Sequence, residues 1–246
     1  MGSRAFKDSL YAEFAVLGKA LANPHRLELL DLLAQGGRNV EELAREAALS
    51  LANASAHLQV LRRARLVEAE KRGLNVIYRL AAPEAYQLWQ TLRDVGSMRL
   101  AEVDRLVENY LTDRNTLDAV DKEELLRLLT EDAVTIIDVR PEAEYKQGHI
   151  PTARSVPVET LNQRLAKLPR DLEIVAYCRG PYCVFSDEAV RLLQEKGFRA
   201  RRLSDGFPEW RAAGYPVETE NGTGSQSTLE KSKGTWEDEA AKVQYP

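Results

Sequence analysis

The two cysteines of the chain stand five positions apart, in Cys178-Arg179-Gly180-Pro181-Tyr182-Cys183. An apolar run, Leu172 to Tyr177, precedes them and reads as a short buried strand. Val184 to Lys196 follows, with Val184, Phe185, Ala189, Leu192 and Leu193 at helical spacing. Strand, tight loop and helix is the geometry that presents a nucleophile. The amides of such a loop and of the first helical turn point inward and form an anion-binding nest. A thiol at its mouth has its thiolate stabilised, and the thiolate is the reactive form. Cys178 is the candidate nucleophile, with Gly180 and Pro181 shaping a loop lined by backbone. An inert pair of core thiols and half of a metal site are the alternatives. A zinc site needs four ligands, and only His25, His57 and His149, all distant in sequence, could add to the cysteines. Neither a metal nor a cofactor is expected.

The length of 246 residues fits one to two domains. No apolar run approaches the ~20 residues of a membrane span. The N-terminus has no signal-peptide apolar core, so a cytoplasmic protein is expected, with no membrane partner. There the two thiols are reduced at rest, and a disulfide between them would be catalytic or sensory.

Further residues agree with a known family. Asp138-Val139-Arg140, then Glu144-Tyr145, then Gly148-His149-Ile150-Pro151-Thr152-Ala153 resembles the upstream signature of the rhodanese sulfurtransferases. Asp205-Gly206-Phe207-Pro208-Glu209-Trp210 is similar to their late element, and Cys178 to Cys183 to their active loop. Two positions depart from the pattern. Thr152 stands where the family usually has Gly, and Cys183 where thiosulfate users often carry a cation. The resemblance implies a persulfide on Cys178 held by Arg179, Gly180, Pro181, Tyr182 and Cys183, with Asp138 and Arg140 in support. Cys183 could then act as resolving thiol. A low-pKa thiol beside a resolving thiol is also a sensor arrangement. Phosphatases and arsenate reductases of similar layout need an Arg at the end of a loop one residue longer, to clamp a tetrahedral oxyanion. Cys183 and Val184 occupy the sixth and seventh positions, so sulfur chemistry is favoured.

The first half of the chain has a different character. Phe6, Leu10, Phe14, Leu17 and Leu21 repeat at helical spacing over 5–21. Pro24 starts a second helix running to Ala34, and Gly36-Gly37 ends it. Val40 to Ala47 is a third helix. Ser50 caps a fourth, Leu51 to Ala64. Its polar face of Asn53, Ser55, His57, Gln59, Arg62 and Arg63 is interleaved with Ala52, Ala54 and Ala56. Small residues allow close approach to a groove, amides and hydroxyls read base edges, and arginines reach phosphate. An ordinary solvated face is the alternative. Leu66–Arg72 and Val76–Leu80 then read as two strands around Gly73-Leu74-Asn75. The segment 51–80 carries six basic and two acidic residues, a modest footprint for a polyanion.

Helices followed by a basic hairpin describe a winged helix-turn-helix. The stretch around Pro24-His25-Arg26-Leu27 and Ser55-Ala56-His57-Leu58-Gln59-Val60-Leu61 resembles the ArsR-type repressors over about residues 5–112. Arg65 stands where a Gly usually follows their recognition helix, a position that often needs positive φ. The cysteines and histidines through which many of these repressors bind metals are missing from 38–50 and 84–114. The resemblance implies double-stranded DNA as partner, with Asn53, Ser55, His57 and Gln59 toward the groove and Arg62, Arg63, Arg72 and Arg79 nearer phosphate. Apolar residues over Glu84 to about Leu111 predict one long helix whose stripe needs a partner helix. The resemblance implies that the partner is the same helix of a second copy, in a homodimer; a connecting helix packed on the second domain is the alternative.

The expected architecture is thus two domains. Residues 1–115 form a mainly-α winged helix-turn-helix, and 116–217 an α/β rhodanese-like domain with a parallel sheet. Residues 218–246, glycine- and serine-containing and then charged, read as a mostly disordered tail. Three functions remain open. The first is a transcription regulator, with a repressor expected, that senses reactive sulfur from a persulfide, polysulfide or thiosulfate. The second is a sulfurtransferase tethered to DNA, and the third a binding module without covalent chemistry.

Overall fold

The computed structural model describes residues 3–111 and 114–220. The first half begins with α1 (Ser3–Leu21) and α2 (Pro24–Ala34). Asn23 caps α2, its side chain accepting from the Arg26 amide, and Pro24 fills the first helical position. A two-residue strand, β1 (Arg38–Asn39), leads into α3 (Val40–Glu46). A capping box starts α3: the Asn39 side chain accepts from Glu42 N, and the Glu42 carboxylate from Asn39 N. Then comes α4 (Leu51–Arg63), where Ser50 Oγ accepts from Asn53 N. The wing is β2 (Val67–Arg72) and β3 (Asn75–Leu80), antiparallel, with Val67 opposite Leu80. Gly73 turns it at φ +60°, and β1 pairs with the far side of β3. Leu29, Leu30, Leu43, Leu58, Leu61 and Tyr78 form the core.

The single helix expected over 84–111 is two, α5 (Pro83–Arg99) and α6 (Ala101–Tyr110). Leu100 between them is extended, at φ −108° and ψ 100°. The Gly96-Ser97 pair just upstream is the kind of low-propensity pair at which helices kink. Phe6, Tyr11 and Phe14 on α1, Val95 and Met98 on α5, and Leu106 and Tyr110 on α6 remain exposed in one chain. Among the described residues no helix is long and apolar enough to cross a membrane.

The second half opens with a 3-10 turn, Arg114–Thr116, and β4 (Ala119–Val120). It continues through α7 (Lys122–Thr130), β5 (Val134–Asp138), α8 (Glu142–Gln147), β6 (Arg154–Ser155), α9 (Val158–Arg164), β7 (Glu173–Tyr177), α10 (Val184–Glu195), β8 (Ala200–Leu203) and α11 (Phe207–Ala212). The sheet order is β4-β8-β7-β5-β6, every pairing parallel. Side-chain alternation along a strand feeds two cores. Ile137, Ile174 and Ala176 pack with Leu161, Ala189 and Leu193 on one face. Ile136, Val175 and Tyr177 pack with Leu125, Phe207 and Trp210 on the other.

Residues 218–220, expected in the tail, belong to the described fold. Glu218 exchanges both backbone hydrogen bonds with His149, at 2.9 and 3.0 Å. The rest of that expectation, 221–246, lies outside the described residues, as do Thr112 and Asp113. At the start of the second half, Arg114 reaches Asp187 in the first turn of α10, at 3.3 Å.

Candidate functional site

β7 is the central strand, and its carboxyl end at Tyr177 releases the cysteine loop at the middle of the sheet edge. That is where α/β sheets place ligands. Cys178 is 1% exposed, and Cys183 is half-buried at the N-cap of α10. The pair expected as free thiols is joined as a disulfide, with Cα atoms 6.2 Å apart. The loop curls enough to bring both sulfurs together: Gly180 O accepts from Cys183 N at 3.1 Å, and Cys178 O from Phe207 N at 3.0 Å. The late element thus buttresses the loop. Gly206 lies flat against it, and a Cβ there would run into the backbone of Arg179 and Gly180. The amides of Arg179, Gly180 and Tyr182 make no hydrogen bond to another described residue. With the positive end of α10 behind them, these groups favour an anion at the loop, whether thiolate or persulfide.

Asp138 and Arg140 lie beneath the loop, not at the sulfurs. Both are fully buried, paired at 2.5 Å, and Arg140 N also donates to Asp138 Oδ1 at 2.9 Å. Arg140 donates to Gly148 O at 2.8 Å and stacks over the Phe207 ring, 4.2 Å from its centroid. Tyr177 accepts from Ile150 N; full burial first, and Asp138 second, push its phenol well above the usual range.

The side chain of Arg179 leaves the loop and points at the other half of the chain. It pairs with Glu144 and, at 2.8 Å, with Glu46 of α3. Arg38 closes the square, 2.5 Å from Glu46 and 2.6 Å from Glu144. Two arginines and two glutamates, one of each from each half, alternate around it. Beside it Gln35, 1% exposed, donates from Nε2 to Arg179 O at 2.9 Å and accepts from Arg140 Nη1 at 3.3 Å. Further along, Glu209 accepts from Tyr86 at 2.7 Å, from Arg93 at 2.6 Å and from Gly206 N at 2.9 Å. Arg211 donates to Ala34 O at 2.6 Å. Gln35, Glu46 and Arg93 carry no sequence signal, because pairings across about a hundred residues leave no local period.

On α4, the buried line of Ala54, Leu58 and Leu61 sets the other faces. At 100° per residue, Gln59 and Arg63 stand opposite that line, beside Ala52 and Ala56. Ser55 and Arg62 lie on one flank and Asn53 on the other. His57 sits nearest the buried side, its ring 5.6 Å from that of His25. The expected groove residues therefore occupy more than one face. Burial first, then Arg26 and His25, hold His57 below the ordinary imidazole range. On the wing, Arg72 and Arg79 both pair with Glu70, at 3.1 and 3.3 Å.

Comparisons with known proteins divide the chain in the same way. A helix-turn-helix domain family matches residues 21–70, and the rhodanese-like domain family matches 121–213. The HTH-type transcriptional regulator Rv0324 of Mycobacterium tuberculosis is 44% identical over 212 residues, 86% of this chain and 93% of that protein. A sulfurtransferase of Allochromatium vinosum is 34% identical over 104 residues, 41% of this chain and 94% of that protein. A solved homodimeric winged helix-turn-helix DNA-binding domain from Mycobacterium bovis, a possible ArsR-family regulator, is 41% identical. It covers 41% of this chain and 91% of that one, at a TM-score of 0.38.

Proposed function

Because the chain belongs to the helix-turn-helix transcriptional regulators, with an ArsR-like winged helix joined to a rhodanese-like domain, we propose that its DNA binding is set by sulfane sulfur at Cys178. The supporting observation is the hold that the DNA-binding half has on the sulfur loop. Gln35 bonds the Arg179 carbonyl and Glu46 the Arg179 guanidinium, one residue from Cys178. Glu46 closes α3, four residues before the cap of the recognition helix α4. A loop that moves Arg179 therefore pulls on the helix-turn-helix itself.

The chemistry starts from the reduced pair. Cys178 thiolate attacks the outer sulfur of a persulfide R–S–SH. That S–S bond breaks, the thiolate RS⁻ leaves with the electron pair, and Cys178 carries –S–SH. Cys183 thiolate then attacks the Cys178 sulfur and expels sulfide. The sulfane sulfur is reduced, the two cysteines are oxidised, and the disulfide results. Two equivalents of a low-molecular-weight thiol restore the dithiol. The protein works as a cytoplasmic homodimer on double-stranded DNA, the exposed faces of α1, α5 and α6 meeting in the dimer and the operator near-palindromic. Repression is the expected output.

Mass spectrometry after polysulfide treatment of reduced protein tests the chemical part. Cys183→Ser should keep one added sulfur on Cys178, and wild type should pass to the disulfide. No added sulfur on Cys178 in Cys183→Ser, with wild type remaining a dithiol, overturns it. Similarity to a sulfurtransferase favours turnover as a second reading. Steady thiocyanate release from thiosulfate and cyanide measures it.

A further inference from the structure

The outer face of the sulfur loop opens into a cleft of about 900 Å³ between the two halves. Tyr182, Cys183 and Phe185 line one side. The facing side comes from the DNA-binding half, with Trp89 and Leu92 of α5 and Val103 of α6. We propose that this cleft binds an organic sulfane-sulfur donor, an apolar body with a negative charge at its sulfur end, and that the DNA-binding half supplies half of the site. The proposal rests on the reading of Cys178 as sulfur acceptor.

Size and lining point to an organic donor. Small-molecule sites run to about 300–1,000 Å³ and are mostly apolar with a few placed charges. An inorganic anion alone would leave the aromatic and aliphatic wall unused. Charge points to an anion. Where thiosulfate users often carry a cation on the loop, this chain has Cys183, and a cation comes from the other half. The Arg93 guanidinium lies against Gly180, 3.8 Å from where a Cβ would stand. Glu209 orients Arg93 there at 2.6 Å. Arg99, also on the cleft, makes no ion pair with another described residue. Of the two acids on the cleft, Asp31 is half-buried and accepts from Trp89 Nε1 at 3.1 Å, and Glu28 is the exposed one. Cys183 borders the cleft and Cys178 lies behind it, so a donor seated there faces the sulfur pair, and reduction of the disulfide frees the Cys178 thiolate for attack.

The probe is benzenethiosulfonate, which has the same sulfane sulfur as thiosulfate on an apolar ring. Cys178 thiolate attacks its terminal sulfur, the S–S bond breaks, and benzenesulfinate leaves with the electron pair. The reduced Cys183→Ser protein, in which the persulfide cannot resolve, is timed by mass spectrometry with each donor. Rates are divided by those of free cysteine with the same donor. The organic donor should be favoured by about tenfold or more, as the apolar wall requires. Exposed charges at the rim should shift its rate in opposite directions, about threefold each: Arg99→Gln down and Glu28→Gln up. Equal normalised rates, with neither variant changing them, overturn the cleft proposal and leave that wall to a second copy of the chain. Failure of both donors to sulfurate Cys178 overturns the parent reading as well.

Discussion

Gln35 holds the carbonyl of Arg179 at 2.9 Å from across the junction of the two halves. Its other amide atom is held by Arg140, which is locked in turn onto Asp138. A glutamine at the end of α2 thus bridges the floor of the rhodanese-like half and the residue after Cys178. The bond to Arg140 is buried and the bond to Arg179 part-buried, so they are worth more than a surface contact and cost more when broken.

Gln35→Leu should separate sensing from DNA binding. It leaves Arg179 O without its partner and removes one from Arg140, which should lower stability by about 1–3 kcal/mol. DNA affinity of the reduced protein should stay within about threefold, since no DNA-facing residue changes, and the response to polysulfide should shrink. Chemical denaturation and DNA titration read the two effects. An undiminished response would show that the signal takes another path, such as Arg114 to Asp187.

On the DNA face, Gln59 and Arg72 should fail differently. Arg72→Ala should weaken binding to all sequences and reduce the salt slope by about one unit, a lost phosphate contact. Gln59→Ala should change sequence preference, because Gln59 stands on the outward line of α4. Binding to matched and mismatched duplexes at several salt concentrations separates them. Uniform loss in both would refute the assignment.

Two residues sit in left-handed backbone where the related patterns have glycine: Arg65 at φ +58° and Thr152 at φ +65°. Each L side chain there costs about 1–2 kcal/mol relative to a relaxed backbone. Thr152→Gly and Arg65→Gly should each raise stability by up to about 1 kcal/mol, less the extra entropy that glycine brings to the unfolded chain. The larger gain should be at Thr152, which is β-branched. Denaturant midpoints at constant slope measure this. A loss at both positions would mean that the side chains contribute more than the strain removes.

Those two departures show how much was legible in the chain. The cap at Ser50, the wing around Gly73 and the loop from Cys178 to Cys183 rest on residues close in sequence, and each lies where it was expected. The break at Leu100 was hidden because the apolar stripe runs on through it. β1 and β4, two residues each, are too short for any period to register. The Arg179 amide belongs to the loop, while its guanidinium serves the Glu46 and Glu144 square. That pairing depends on how the two halves meet, and nothing local encodes it.

His57 adds a pH dependence to stability. Its folded pKa lies below the ordinary 6.5, from burial first and then Arg26 and His25. The folded state therefore binds fewer protons than the unfolded one in that range. Stability from this group is present above about pH 6.5 and falls as pH drops through the lowered folded value. His57→Gln should flatten the decline between about pH 6.5 and 5. An unchanged slope would place the titration elsewhere.

The central claim is that sulfur on Cys178 changes DNA affinity, and one titration addresses it directly. A duplex selected by the reduced protein from a random pool is titrated by fluorescence anisotropy, with a chelator present throughout. Wild type and Cys178→Ser are each compared before and after polysulfide. The account predicts a shift of about 5- to 150-fold for wild type, as allosteric couplings of ~1–3 kcal/mol give, and none for Cys178→Ser. An equal shift in both proteins, or none in wild type that mass spectrometry shows to be modified, would contradict it.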